Sequence, residues 1–200
     1  MSKDNLKNTP KVLGLDISTK TIGWALFDLA TQDLLELTHI SPVIKPKPEE
    51  KIDELLQKVD AFEEKLKKYI GLGITKVIIE EPLLNSNNVW TVGTLLRYNS
   101  MITHSIYKTL NIVPDFISTY NSRKFAWPEL VQENEKGKRV LFGGLPKTID
   151  KKEIIWNKVS EKEPQITWQY TRNNTLKKEC FDQADAYTCV LGFMKKEDIW

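Results

Sequence analysis

The chain has 200 residues, a mass of 23.1 kDa and a formal net charge of +2. Its 40% hydrophobic and 28% charged residues are typical of a globular protein and argue against disordered, fibrous and coiled-coil proteins. No apolar run approaches the roughly 18 residues of a membrane-spanning helix, and the polar first residues lack the apolar core of a secretion signal. We therefore expect one domain over residues 1–200, located in the cytoplasm and without a membrane partner.

Cysteine and histidine usage narrows the chemistry further. Cys180 and Cys189 lie nine residues apart with no second pair, so neither a disulfide framework nor a zinc cluster is indicated. His39 and His104 are the only histidines in the sequence, which argues against His-rich metal or base chemistry. If the protein is an enzyme, carboxylates are expected to carry the reaction.

The hydrophobic pattern predicts a mixed α/β domain. Three short apolar runs joined by tight connections are typical of an antiparallel meander, and helices alternate with strands after them. In chain order, the pattern predicts strands at 11–16, 22–28 and 34–43, a helix at 49–70, a strand at 75–80, a helix at 89–110, a strand at 112–118, a helix near 150–159 and a helix at 181–194.

A basic segment interrupts this pattern at about 119–178. Within it, residues 121–178 hold 13 Lys/Arg against 7 Asp/Glu, together with three tryptophans and Tyr170. Basic side chains interleaved with aromatic ones are typical of nucleic-acid surfaces. The segment is interpreted either as a DNA-contacting surface or as a solvated, lysine-rich insertion.

Four acids fall at the ends of predicted elements. Asp16 ends the first strand, Glu80 ends the fourth, and Asp182 and Asp185 share one face at the start of the last helix. Singly, each has an ordinary role as a turn former, a loop acid, an N-cap or a partner of the helix dipole. In a sheet whose first and fourth strands are neighbours, however, all four converge on one point.

Such a convergence favours metal chemistry. Four carboxylates without Arg or Lys neighbours would repel one another and raise one another's pKa values. Mg²⁺ or Mn²⁺ relieves this repulsion, because hard divalent cations prefer oxygen ligands. Two such ions ~4 Å apart can activate a water and stabilise the leaving oxygen in phosphodiester cleavage.

Three motifs carry a resemblance to a known family. The segments VLGLDISTKTIGWAL at 12–26, VIIEE at 77–81 and DQADAY at 182–187 resemble motifs of RuvC-type Holliday junction resolvases, which belong to the RNase H-like superfamily. The first also resembles the RuvC domain of CRISPR effector nucleases, whose closing motif usually has His where Asp182 stands. The resemblance is weak across 127–145, which is interpreted as an insertion, and it leaves a bacterial and a phage source open.

The resemblance implies a fold and a set of site residues. The fold is an RNase H-like, five-stranded mixed sheet, with three antiparallel strands followed by two parallel ones and helices on its faces. Two Mg²⁺ per active site, replaceable by Mn²⁺, are expected at Asp16, Glu80, Asp182 and Asp185. In the basic helix start at 147–154, Lys151 best matches the lysine that approaches the scissile phosphate. The expected DNA contacts are Trp90, Arg123, Lys124, Lys147, Lys151 and Lys152, with core packing as the alternative for Trp90.

The implied activity is the resolution of four-way DNA junctions in recombination and repair. A homodimer built through the helix at 89–110 would cut two strands by metal-dependent hydrolysis, leaving 5′-phosphate and 3′-hydroxyl ends. The alternatives are another RNase H-like nuclease, such as an rRNA-processing or branched-DNA enzyme or a guide-dependent nickase, an actin-like-fold ATPase, and an inactive junction-binding protein. The presence of all four acids favours an active nuclease.

Overall fold

The computed structural model describes residues 9–46, 48–82, 88–146 and 148–200, so the expected DNA contact Lys147 lies outside the described residues. A five-stranded mixed sheet forms its centre, with the strand order β3-β2-β1-β4-β5. Strands β1 to β3 are antiparallel, and β4 and β5 run parallel to β1. This confirms the predicted RNase H-like sheet. Its strands are β1 (Lys11–Ile17), β2 (Ile22–Asp28), β3 (Leu34–Ile40), β4 (Ile74–Glu80) and β5 (Asp115–Ile117).

In the described part of the chain, five α-helices cover the two faces of the sheet. Helices α1 and α2 pack on one face over Leu13, Leu15 and Trp24, and α3 to α5 pack on the other face over Val12 and Phe27. The side chains of β1 and β2 alternate between the two faces, as the two-residue period of a strand requires. The helices are α1 (Lys51–Lys67), α2 (Val89–Leu110), α3 (Thr119–Ala126), α4 (Lys151–Lys162) and α5 (Glu179–Lys196). No helix among the described residues is both long and apolar enough to cross a membrane.

The structure departs from the predicted elements mainly in the basic segment. Helix α3 was not predicted, because eight residues of mostly polar sequence give little periodicity, although Ser118 caps its start. A short hairpin of β6 (Val131–Glu133) and β7 (Arg139–Leu141) occupies the predicted insertion. Strand β5 is shorter than predicted and begins after Pro114, since proline cannot donate to the ladder.

Two glycines bring α5 unusually close to the sheet. A Cβ atom at Gly23 would collide with the main-chain carbonyl of Asp182, and one at Gly14 would collide with Val190 and the carbonyl of Ala186. Only glycine leaves room for a helix backbone to rest on a strand in this way. The two glycines therefore set the height of α5 above β1 and β2.

Candidate active site

Three of the four predicted acids meet at the carboxyl ends of β1 and β4. Asp16, Glu80 and Asp185 each offer a carboxylate oxygen, and these oxygens all lie within 4.8 Å of one another. The parallel register that pairs Leu15 with Ile79 makes Asp16 and Glu80 neighbours. Both lie on the sheet face that α5 covers, and Asp185 reaches them from that helix. Glu80 is 9% and Asp185 is 5% exposed while Asp16 is partly exposed, so two of the three carboxylates are shielded from solvent.

The electrostatics of the cluster show an excess of buried negative charge. Burial, followed by the charges of Glu80, Asp185 and Asp182, raises the pKa of Asp16 well above its ordinary value. Burial and the charge of Asp185 raise the pKa of Glu80 to about 7, although a hydrogen bond donated by the Thr119 hydroxyl opposes this rise. The metal-free centre therefore tends to retain a proton at neutral pH.

Asp182 lies at the edge of the cluster, one helical turn before Asp185. It does not belong to the group of three converging acids, and its Oδ1 is 3.4 Å from the Nζ of Lys152. Burial raises the pKa of Asp182, and the charge of Lys152 counteracts part of that rise. The contact of the Asp182 carbonyl with Gly23 fixes this first turn of α5 in place.

Two cationic side chains neighbour the acids and offset part of their negative charge. Arg123 places its Nη2 2.9 Å from Oδ1 of Asp185, and Lys152 places its Nζ 3.4 Å from Oδ2 of the same residue. These contacts join residues 62 and 33 positions apart in the chain. The contacts bring together three helices, α3, α4 and α5, whose mutual packing is not evident from the sequence.

The predicted DNA-contacting residues separate into different environments. Arg123 is only 9% exposed and faces the carboxylates instead of an open surface. Lys152, and not Lys151, is the lysine of α4 that reaches the acids. The Nζ of Lys151 lies 5.7 Å from the ring centre of Phe142. The Lys151 side chain also lines a cavity of about 700 Å³ beside the β6–β7 hairpin. Lys124 is partly buried, with its Nζ 5.4 Å from the ring centre of Phe125.

Trp90 lies in the first turn of α2 and is 84% exposed. Asn88 caps this turn by accepting hydrogen bonds from the main-chain N–H groups of Trp90 and Thr91. Within this chain the indole is therefore not a core side chain. The sequence allowed either core packing or a DNA contact for Trp90, and its exposure is inconsistent with core packing.

The residues present fit a hard divalent cation. A cavity of about 170 Å³ is lined by the four acids, Arg123 and Lys152, among others. Its acidic side chains offer only oxygen atoms as ligands, and divalent charge relieves the repulsion that raises the pKa values of Asp16 and Glu80. Sequence reasoning missed Thr119 as a neighbour of Glu80. The sequence feature that could have indicated this contact is the position of Thr119: it follows Ser118 just after β5, the strand that pairs with β4.

Comparison with known proteins gives similarity in structure but not in sequence. No protein-family model matches the chain, and a search of curated proteins found no match. The Thermus thermophilus RuvC structure in complex with a Holliday junction substrate aligns with a TM-score of 0.61 and 9% identity, over 94% of this chain and 95% of that chain. A second T. thermophilus RuvC structure gives a TM-score of 0.56 and 13% identity, with 94% and 96% covered.

A fowlpox virus resolvase in complex with Holliday junction DNA aligns over 94% of this chain and 98% of that chain, with 17% identity and a TM-score of 0.47. The agreement with both RuvC structures extends over nearly the whole length of each chain. Together with the strand order and the position of the acids, it shows that the chain has the RNase H-like fold of RuvC.

Proposed function

We propose that the protein is a metal-dependent endonuclease that resolves four-way DNA junctions and leaves 5′-phosphate and 3′-hydroxyl ends. The observation that carries this proposal is the meeting of Asp16, Glu80 and Asp185 on the RuvC-like sheet, with Lys152 beside them. A buried group of oxygen ligands next to a cation suits phosphodiester hydrolysis. The junction complex of the structurally similar T. thermophilus RuvC supports branched DNA as the substrate.

The metal ligands in this proposal are Asp16, Glu80 and Asp185, with Asp182 at the rim. When bound there, two Mg²⁺ ions, or Mn²⁺ in their place, would activate a water molecule and stabilise the leaving oxygen. The chain's own contribution is to fix the carboxylates on two strands and a helix, so that they need little rearrangement.

Lys152 is suited to bind the scissile phosphate. Its side chain is about half exposed, while its Nζ stays within 3.4 Å of both Asp182 and Asp185. A phosphate placed over the acids would meet this ammonium at the mouth of the site. Lys124, Lys151 and the exposed Trp90 are proposed as further DNA contacts, with a base stacked on the indole.

A homodimer is proposed because a junction must be cut on two strands. A groove of about 570 Å³ between α2 and β5 is lined by exposed apolar side chains, including Tyr107, Val113 and Phe116. A two-fold interface along α2 would place one active site in each subunit, matching the symmetry of the junction.

The test compares a synthetic four-way junction with linear duplex and with an RNA–DNA hybrid in Mg²⁺, using wild-type protein and the Asp185→Asn variant. We expect paired cuts in the junction alone, no cleavage by the variant and little loss of its junction binding. Preferential cleavage of the hybrid would favour another RNase H-like nuclease. Binding without cleavage by the wild type would favour an inactive junction-binding protein.

A further inference from the structure

Arg123 holds a charge inside the acidic centre that the proposed reaction does not require. It extends from α3, is nine-tenths buried and donates from Nη2 to Oδ1 of Asp185 at 2.9 Å. Its Nε is buried and has no hydrogen-bond partner among the described residues. An unsatisfied buried donor on a charged group is costly, so its placement needs a physical reason.

The backbone that carries Arg123 is fixed against the helix that carries Asp185. A Cβ atom at Gly192 of α5 would collide with the carbonyl of Ser122, so α3 and α5 touch backbone to backbone beside Arg123. Ser118 also caps the start of α3 by accepting from the N–H of Asn121. Because α3 is held in this position, the guanidinium leaves Asp185 by rotation of the Arg123 side chain and not by movement of the helix.

Both oxygens of Asp185 already face a positive charge. Oδ1 is held by Arg123, and Oδ2 lies 3.4 Å from the Nζ of Lys152. A divalent cation that uses Asp185 must therefore share or take an oxygen from one of these groups. Arg123 is the more buried of the two cations, and its repulsion of a neighbouring divalent ion is screened less by water.

We propose that Arg123 is an internal counter-ion that competes with the divalent metal for Asp185. It stabilises the metal-free centre and weakens metal binding there. This inference rests on the metal centre of the proposed function and makes Arg123 a positioning residue, not a DNA contact. Its burial and its orientation toward Asp185 distinguish it from Lys152, which lies at the mouth of the site.

The test measures Mn²⁺ and Mg²⁺ binding by calorimetry without DNA. In Arg123→Gln and the more apolar Arg123→Met, we expect the metal Kd to fall about tenfold, the order that one nearby unit charge produces on a divalent ion. In EDTA both variants should melt roughly 5 °C or more below wild type, because Asp185 loses its partner. Arg97→Gln, the same change at an exposed site of α2, should alter neither quantity.

A purely structural role for Arg123 would lower both stability and metal affinity. Unchanged or weaker metal binding in the folded neutral variants would therefore overturn the inference. Arg123→Lys keeps the charge and should bind metal more like wild type than either neutral variant does. If wild type binds neither metal, the metal mechanism of the proposed function falls together with this inference.

A measurement on the wild type keeps the inference testable if the neutral variants do not fold. In ¹⁵N NMR of arginine side chains, the Nε–H signal of Arg123 should shift during Mg²⁺ titration, with the midpoint found by calorimetry. The signal of Arg97 should stay unchanged and serves as the control. Metal binding that leaves the Arg123 signal unmoved would show that the guanidinium and the metal do not compete.

Discussion

At the residue scale, the first two residues of α4, Lys151 and Lys152, are adjacent in sequence but face different groups. Consecutive side chains on a helix point about 100° apart, so Lys151 and Lys152 cannot face the same site. Lys152 turns toward Asp182 and Asp185, and Lys151 turns toward Phe142. The sequence resemblance favoured Lys151 as the residue that approaches the scissile phosphate, whereas the geometry favours Lys152.

Comparison of Lys152→Ala with Lys151→Ala tests this assignment. We expect Lys152→Ala to lower the single-turnover cleavage rate by about 10²-fold, since a cation beside the reacting phosphate acts mainly in the transition state. Its junction affinity should fall only by the amount of one phosphate contact, seen as a salt slope smaller by about one. A larger rate loss in Lys151→Ala would return the role to that residue.

The raised pKa of Glu80 predicts how the stability of the metal-free protein depends on pH. Its pKa is about 7 in the folded protein against an ordinary 4.5, so the folded state binds more protons between these values. The free energy of unfolding in EDTA should therefore fall as pH rises from 4.5 to 7 and level off above that. The fall attributable to Glu80 is about 3 kcal/mol.

Urea titrations in EDTA at a series of pH values measure this effect. Glu80→Gln removes one titrating group and should make the pH dependence shallower, while Glu161→Gln, a change at an exposed acid on α4, should leave it as in wild type. Stability that rises from pH 4.5 to 7 would contradict the assignment of an uncompensated negative charge to the centre.

At the element scale, the placement of α5 depends on its close approach to β2. The carbonyl of Asp182 rests where a side chain at Gly23 would lie, so the acids of α5 are positioned by an absent Cβ. Helix α5 is buried along most of its length, which explains why its hydrophobic periodicity is weak. The sequence nevertheless predicted a helix at 181–194, as an amphipathic one, from the helical spacing of Ala184, Tyr187, Val190 and Leu191.

Gly23→Ala should destabilise the protein by about 2 kcal/mol or more, because a backbone carbonyl cannot yield to the new methyl group as a side chain would. Gly93→Ala is the matched control: its Cβ would meet nothing within 4 Å, and removing a glycine from the interior of α2 should stabilise by about 0.5–1 kcal/mol. Thermal and urea unfolding measure both changes. A neutral Gly23→Ala variant would show that α5 can shift away, and its junction cleavage should then be reduced.

At the scale of the whole molecule, the proposed homodimer accounts for the apolar groove along α2. Val113 is 76% exposed at its edge, and Tyr107 and Phe116 also face solvent in the single chain. Covering these side chains removes apolar surface from water, which stabilises association. The same interface would fix the distance between two active sites.

A mixed dimer tests this arrangement. One Asp16→Asn subunit paired with a wild-type subunit should nick a single strand and leave the junction otherwise joined. Phe116→Asp should shift the protein to a monomer in light scattering and abolish paired cuts, since it places a charge in the groove. Paired cutting by a protein that stays monomeric on the junction would contradict the dimer.

The sequence by itself determined the order of the five sheet strands and of α1, α2, α4 and α5, and it pointed to the acids that meet at the ends of β1 and β4. Local sequence patterns predict these features. Two-residue alternation or short apolar runs indicate the strands, 3.6-residue periodicity indicates α1 and α2, and the acids stand at the ends of the predicted elements. The proximity of Asp16 to Glu80 could also be predicted, because it requires only that β1 pairs with β4.

Only the tertiary structure decided which cations meet those acids. The contacts of Asp185 with Arg123 and Lys152 depend on the rotation of α3 and α4 about their axes, where a turn of 100° exchanges one side chain for the next. The exposure of Trp90 likewise depends on where α2 begins above the sheet. Local patterns specify an element and its apolar face, but the side chains that meet across elements are chosen by packing and close backbone contacts such as that at Gly23.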